Sequence, residues 1–257
     1  MRVHSLNCGT MGSAGPGEPP AVCHCLLIET DADGLVLVDT GLGLLNVKDP
    51  VGSLGEDFLG WAAPVLRSEE TAVRQVERLG FAASDVRHVV LTHLHRDHCG
   101  GLPDFPDASV HLHAAEYDAA LPGEGIYLNA AYAHGPKWVT YDGAAGDEWM
   151  GFTGVRELDG LPEILMVPLL GHTPGHVGVA VQAENGWLLH AGDAYFHRHE
   201  LREDGTWPEG WDQLQARAET DRAQRLANRD RLREAVRRPG GPVVFSAHDP
   251  VEYARRA

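Results

Sequence analysis

Short apolar runs bounded by turn-forming residues recur along the chain, at 22–29, 35–39, 86–92, 109–113, 164–169, 177–182, 187–191 and 243–246. Their length and content predict strands. One early segment, 68–79, reads as a helix. Ser68 stands at its N-cap, Glu69 and Glu70 in its first turn, Val73, Val76 and Leu79 on one face, and Gly80 beyond its end. A shorter helix is expected at 114–121. A long, strongly charged one is expected at 214–238, on the surface and stopped by Pro239-Gly240-Gly241. Two stretches, 41–64 and 121–154, show no periodicity. Loops of that length in a compact domain carry function or conceal further elements.

Strands dominate, with helices interspersed rather than strictly alternating. This predicts an α/β fold of sheet packed on sheet with helices outside, a four-layered αββα sandwich. The 257 residues fit one domain spanning 1–257.

Charge narrows the partners. Against 37 acidic residues stand 21 basic ones, a formal net charge of -16, which opposes attraction to phosphate backbones and anionic membranes. Neither nucleic acid nor a membrane is therefore expected as a partner, and a homodimer is left open. Cys8, Cys23, Cys25 and Cys99 form no CxxC pair, which fits a reducing compartment, and Cys23, Cys25 and Cys99 are read as packing residues. Neither a signal peptide nor an apolar span is evident, so a cytoplasmic location is expected.

The chemistry concentrates at 92–98, Thr-His-Leu-His-Arg-Asp-His, where a predicted strand ends in three histidines and a carboxylate. If the chain stays extended over His93 and His95, both imidazoles point to one side, and the next turn can bring Asp97 and His98 to an adjacent position. Two neighbouring metal sites follow. Imidazole with carboxylate suits zinc, iron, manganese or cobalt better than magnesium or calcium. Three later segments also place ligand types at strand ends: Gly171-His172-Thr173-Pro174-Gly175-His176, Gly192-Asp193, and Ser246-Ala247-His248-Asp249. Each alone is ordinary for a turn; their recurrence is the signal.

This ordered series, with Val38-Asp39-Thr40-Gly41 ahead of it, resembles the metallo-β-lactamase superfamily. The resemblance implies the αββα fold with metals at one edge. It implies His93, His95 and His172 as ligands of one ion, Asp97, His98 and His248 as ligands of a second, and Asp193 as the bridging carboxylate. Asp39 resembles a supporting residue behind the histidine loop, and His176 a structural one. The expected cofactor is two divalent ions per chain, zinc first, with manganese, cobalt or iron as alternatives. Such a centre activates water as the nucleophile, and Asp97 is the candidate catalytic acid-base.

An aspartate at position 193 resembles the lactonase, glyoxalase II, phosphotriesterase and nuclease branches more than antibiotic-hydrolysing enzymes. The chain's charge and length disfavour the nucleases, which leaves a small ester-like substrate, a lactone first, with a thioester or phosphotriester as alternatives. A non-hydrolytic metal-binding or redox relative is the reading from another class. Related lactonases commonly carry Tyr three residues after the bridging Asp, whereas here Tyr195 stands one place early and Phe196 occupies that position. Tyr195, Phe196, His134 and His199 are the candidate substrate-binding residues, drawn from loops rich in aromatic and basic groups. His111 and His113 are read as structural or surface residues.

Overall fold

The computed structural model describes residues 1–257 apart from Pro16, Ala32, Glu124, Ile126, Ala144 and Ala145. Its described strands form two six-stranded sheets, each holding its strands side by side in chain order. The first contains β1 (Arg2–Ser13), β2 (Pro20–Glu29), β3 (Leu35–Val38), β4 (Val86–Val90), β5 (Ser109–His113) and β6 (Lys137–Tyr141). Its first three strands run antiparallel, and β3 to β6 run parallel. Parallel neighbours need crossover connections. These are supplied by α1 (Leu44–Lys48), α2 (Pro50–Ala62), α3 (Ala72–Arg78), α4 (Arg96–Cys99) and α5 (Ala114–Ala120). The second sheet contains β7 (Asp147–Trp149), β8 (Phe152–Leu158), β9 (Leu161–Pro168), β10 (Val177–Ala183), β11 (Gly186–His190) and β12 (Val243–Phe245). It is an antiparallel meander closed by the parallel pair β11/β12. Between those two strands cross α6 (Glu209–Ala218) and α7 (Arg222–Arg237), and α8 (Pro250–Ala254) ends the chain.

Alternation along the strands creates the layers. On β2, β3 and β4, Leu26, Ile28, Val36, Val38 and Val90 pack across the sandwich against Ile164, Met166, Val179 and Phe245 of the second sheet. The intervening Leu27, Leu37 and Val89 pack outward with Val73 and Val76 of α3. On the far side Leu165, Val167 and Leu189 meet Leu232 and Ala235 of α7. Both faces of each sheet are covered, which is why these strands read as near-continuous apolar runs.

Several boundaries differ from the sequence expectation for local reasons. The strand expected at 86–92 stops at Val90 because the Thr92 amide turns from the ladder to the Asp39 carboxylate, 2.8 Å away. The helix expected at 68–79 is a 3-10 turn, Ser68–Glu70, and then α3. Thr71 between them is extended, its hydroxyl donating to the Ser68 carbonyl at 2.8 Å. The helix expected at 214–238 begins earlier and breaks into α6 and α7. At the break the Thr220 and Asp221 amides leave the helical pattern to donate to the Gly171 carbonyl, and Asp221 caps α7. Within 41–64 lie α1 and α2, and the described part of 121–154 holds β6, β7 and the start of β8. Gly55, at φ 78°, kinks α2 and interrupts its periodicity. β1 is also additional. Register shifts follow Asn7 and Thr10, so no clean alternation runs its length.

Candidate metal centre

Four connections at one edge of the sandwich converge. After Val90 the chain bends at Thr92 and passes His93 to His95, which is extended and sits at the N-cap of the single turn α4. That turn swings Asp97 and His98 round beside His93. His172 comes from the turn between β9 and β10, Asp193 from the end of β11 and His248 from the end of β12. All seven are at least nine-tenths buried.

Their donor atoms sort into two sets, His93, His95, His172 and Asp193 in one and Asp97, His98 and His248 in the other. Within each set the ligating atoms lie within 4.8 Å of one another. Asp193 faces both. Its Oδ2 is 3.1 Å from His172 Nε2 and 3.7 Å from His93 Nε2. Its Oδ1 is 3.3 Å from His98 Nε2 and 3.1 Å from His248 Nε2. Asp97 Oδ2 lies 3.5 Å from His248 Nε2 and 3.9 Å from His98 Nε2.

Whether divalent ions fit can be judged from the atoms left over. His93 Nε2, His95 Nε2, His98 Nε2, His172 Nδ1 and Asp193 Oδ1 are buried without hydrogen-bond partners. Leaving so many polar atoms unpaired in one place is costly. Borderline divalent cations would satisfy His93 Nε2, His98 Nε2 and Asp193 Oδ1, while His95 and His172 turn their other nitrogens, Nδ1 and Nε2, toward the centre; the imidazole–carboxylate chemistry suits such ions.

The opposite edges of the His98 and His248 rings are already committed, which aims their Nε2 atoms inward. His248 Nδ1 donates to the Val22 carbonyl at 2.8 Å. His98 Nδ1 lies 2.8 Å from Asp39 Oδ2, while Asp39 Oδ1 accepts from the Thr92 amide and Oδ2 from the Thr92 hydroxyl. Asp39 adopts φ 56°, a left-handed conformation that aspartate tolerates better than bulkier residues. His176 is not in either set. Its Nδ1 donates to the Leu169 carbonyl at 2.9 Å, so its Nε2 accepts from the Asp193 amide at 2.9 Å. Burial, with His172 nearby, holds its pKa down to about 3. Its partner turn needs Gly192: a Cβ there would lie 2.6 Å from His176 Nε2, and φ is 53°.

Electrostatics differ between the sets. Burial and then the neighbouring histidines hold His93 and His95 well below the usual histidine range. Burial also opposes protonation of His98 and His248, but the carboxylates, Asp193 foremost and then Asp97, outweigh it and raise both. Asp193 is held well below the usual carboxylate range: against its burial stand His248, His98 and His172.

Above this floor opens a cavity of about 570 Å³. His95, Arg96, Asp97, Asp193, Phe196 and His248 line its base, and Met11, Phe58, Trp61, Trp211 and Leu214 its largely apolar wall, with Arg217 beside them. Arg96 is buried and donates to the Asp57 carboxylate at 2.9 Å and the Leu54 carbonyl at 2.8 Å, which ties α2 to the histidine loop.

Of the four candidate substrate-binding residues, only Phe196 lines this cavity. The other three need correction. Tyr195 is fully buried and its hydroxyl donates to Glu252 at 3.0 Å, behind the centre. His199 Nδ1 donates to the Thr206 carbonyl at 3.0 Å, away from the cavity, and His134 is exposed beyond β5 and before β6. The wall residues escaped because they are scattered from 11 to 214. Asp49-Pro50, an N-cap followed by proline at the first helical position, was the available signal for α2. His111 is structural, Nδ1 bonding the Tyr141 hydroxyl at 2.9 Å, and Cys99 is a buried free thiol.

Comparison with known proteins agrees with this architecture. The "Probable metallo-hydrolase" of Mycobacterium tuberculosis is 42% identical over 262 residues, which cover 98% of this chain and 82% of that protein. An N-acyl homoserine lactonase of Bacillus thuringiensis is 26% identical, over 88% of this chain and 80% of its own. Among solved structures, an N-acyl homoserine lactone hydrolase with N-hexanoyl-L-homoserine at its catalytic metal center superposes with a TM-score of 0.75. It is 22% identical, and the match covers 98% of this chain and 95% of that one. The family model of the metallo-beta-lactamase superfamily matches residues 19–248, a span that includes every residue of both ligand sets, and the chain belongs to that superfamily.

Proposed function

We propose that this metallo-hydrolase opens the ester bond of a small lactone bearing an apolar chain, at a centre of two divalent ions. The observation that carries the reading is the position of Asp193. One carboxylate oxygen faces each ligand set, at the base of a cavity whose wall is aromatic and aliphatic. Divalent ions in such a pair of sets, zinc foremost, polarise a scissile carbonyl and lower the pKa of bound water. His93, His95 and His172 would hold one ion, Asp97, His98 and His248 the other, and Asp193 both.

The chain's own groups do the rest. Asp97 lines the cavity, and its Oδ2 is directed at His248 and His98. Its Oδ1 is the atom proposed to take the proton from the attacking water and pass it to the leaving alkoxide. Phe196 offers a ring and no hydroxyl at the base, and Tyr195 cannot supply one because its hydroxyl belongs to Glu252. Orientation therefore rests on shape. Phe58, Trp61 and Leu214 exclude water from an acyl chain while Arg96 holds α2 over it. The lactonase relatives support a lactone over the thioester and phosphotriester alternatives.

The test is a panel of acylated lactones, thioesters and phosphotriesters with the zinc-, cobalt- and manganese-loaded enzyme. Acylated lactones are expected to show the highest kcat/KM, at least about tenfold above the same ring without the chain. No turnover of any lactone, or faster cleavage of a thioester or phosphotriester, would overturn the substrate assignment.

A further inference from the structure

We infer that Glu116 is a positioning residue that joins the two loops carrying His93, His95 and His172. It belongs to neither ligand set and lies in the first turn of α5, with no exposed surface. Its Oε1 accepts from the amide of Leu94, the residue between His93 and His95, at 2.9 Å. Its Oε2 accepts from the Thr173 hydroxyl at 2.6 Å and from the Gly175 amide at 3.1 Å, in the turn that carries His172. One buried carboxylate therefore pins a loop of the first sheet to a loop of the second.

The approach is close as well as polar. A Cβ on Gly175 would lie 2.1 Å from the Glu116 amide nitrogen and 2.6 Å from its Cα, so the turn lies directly on the start of α5. Where the loops meet, His172 Nε2 is 3.1 Å from His95 Nδ1. The second set hangs on other supports: His98 on Asp39, and His248 on the Val22 carbonyl and the Ser246 hydroxyl. Glu116 makes no hydrogen bond to either. The clamp thus sets the spacing of the His93, His95 and His172 imidazoles selectively. Thr173, next to His172, needs its hydroxyl for this and not only its shape.

This inference rests on the two-ion reading, and the test separates them. Zinc and cobalt titrations of the metal-free chain, with the cobalt absorption spectrum as a second readout, are run on wild type, Glu116→Gln, Thr173→Val and Thr173→Ser. Glu116→Gln keeps the shape but turns an N–H donor toward one of the three donors. One ion of the two is expected to bind about 10- to 100-fold more weakly, with the other unchanged and an altered cobalt spectrum. Thr173→Val is expected to weaken the same ion, and Thr173→Ser, which keeps the hydroxyl, to restore it. If Glu116→Gln does not fold, the Thr173 pair decides. Wild type holding fewer than about two ions defeats the two-ion reading. Wild type holding about two, with Glu116→Gln and Thr173→Val matching it in affinity and spectrum, overturns the clamp. Equal weakening of both ions does so too, since a general structural role would act that way.

Discussion

The floor of the cavity and its wall are built by opposite means. The floor comes from strand ends of both sheets: the turn after β4, the connection from β9 to β10, and the ends of β11 and β12. His98 and His248 are fixed from behind by Asp39 and the Val22 carbonyl. The wall comes from the register-shifted part of the edge strand β1 and from α2 and α6, and it is held by apolar packing and by the ion pair of Arg96 with Asp57. The candidate ligands are therefore carried at the ends of paired strands. On the proposed reading, substrate choice lies with elements that carry none of the candidate ligands.

The largest effects should follow from breaking the floor. His95→Ala removes a proposed ligand and is expected to abolish hydrolysis while leaving the thermal transition of the metal-free chain close to wild type. Asp97→Asn removes both a proposed ligand oxygen and the proposed proton carrier. A fall in kcat of at least about 10²- to 10⁴-fold is expected, and near-normal turnover of a lactone with a good leaving group would show that Asp97 has no part in proton transfer.

Breaking the wall should do less and do it differently. Trp61 is 40% exposed, so truncation costs little stability. Trp61→Ala is expected to lower kcat/KM for long-chain lactones by about tenfold, mostly through KM. Short-chain substrates and metal content should be unchanged. A uniform loss across chain lengths would mean that the wall also shapes the floor.

The smallest effect lies beneath the floor. Burial pushes the Glu252 carboxyl up to about 7. The folded chain thus favours the protonated form. The resulting stability is complete below the unfolded carboxyl value of about 4.3 and is lost as pH rises through about 7. Glu252→Gln removes that dependence. Between pH 5 and 8 the wild-type Tm should fall by about 5–10 °C more than the variant's, measured on metal-free protein. Parallel profiles would assign the slope to other groups.

The same division decides what was legible in the sequence. The sandwich followed from short apolar strands, and the floor from ligand residues crowded at their ends, four of them between His93 and His98. The wall could not be read this way. Met11 lies on a strand with broken register, Phe58 and Trp61 on a helix kinked by Gly55, and Trp211 before the expected start of its helix. Chemical type singles out Tyr195, His134 and His199 in the sequence but does not reveal direction. In the fold, Tyr195 and His199 bond elsewhere and His134 points to solvent. Glu116 left no trace either, because a carboxylate in a helix's first turn is usually favourable there for the dipole alone. Its three donors come from segments distant in sequence.

The central claim is hydrolysis at a centre that needs both ligand sets. Its most direct test removes metal with a chelator and restores zinc stepwise while following hydrolysis of an acylated lactone. Activity is expected to vanish on removal and to return only as occupancy rises from about one to about two ions per chain. Full activity with one equivalent, or activity that survives chelation, would contradict it.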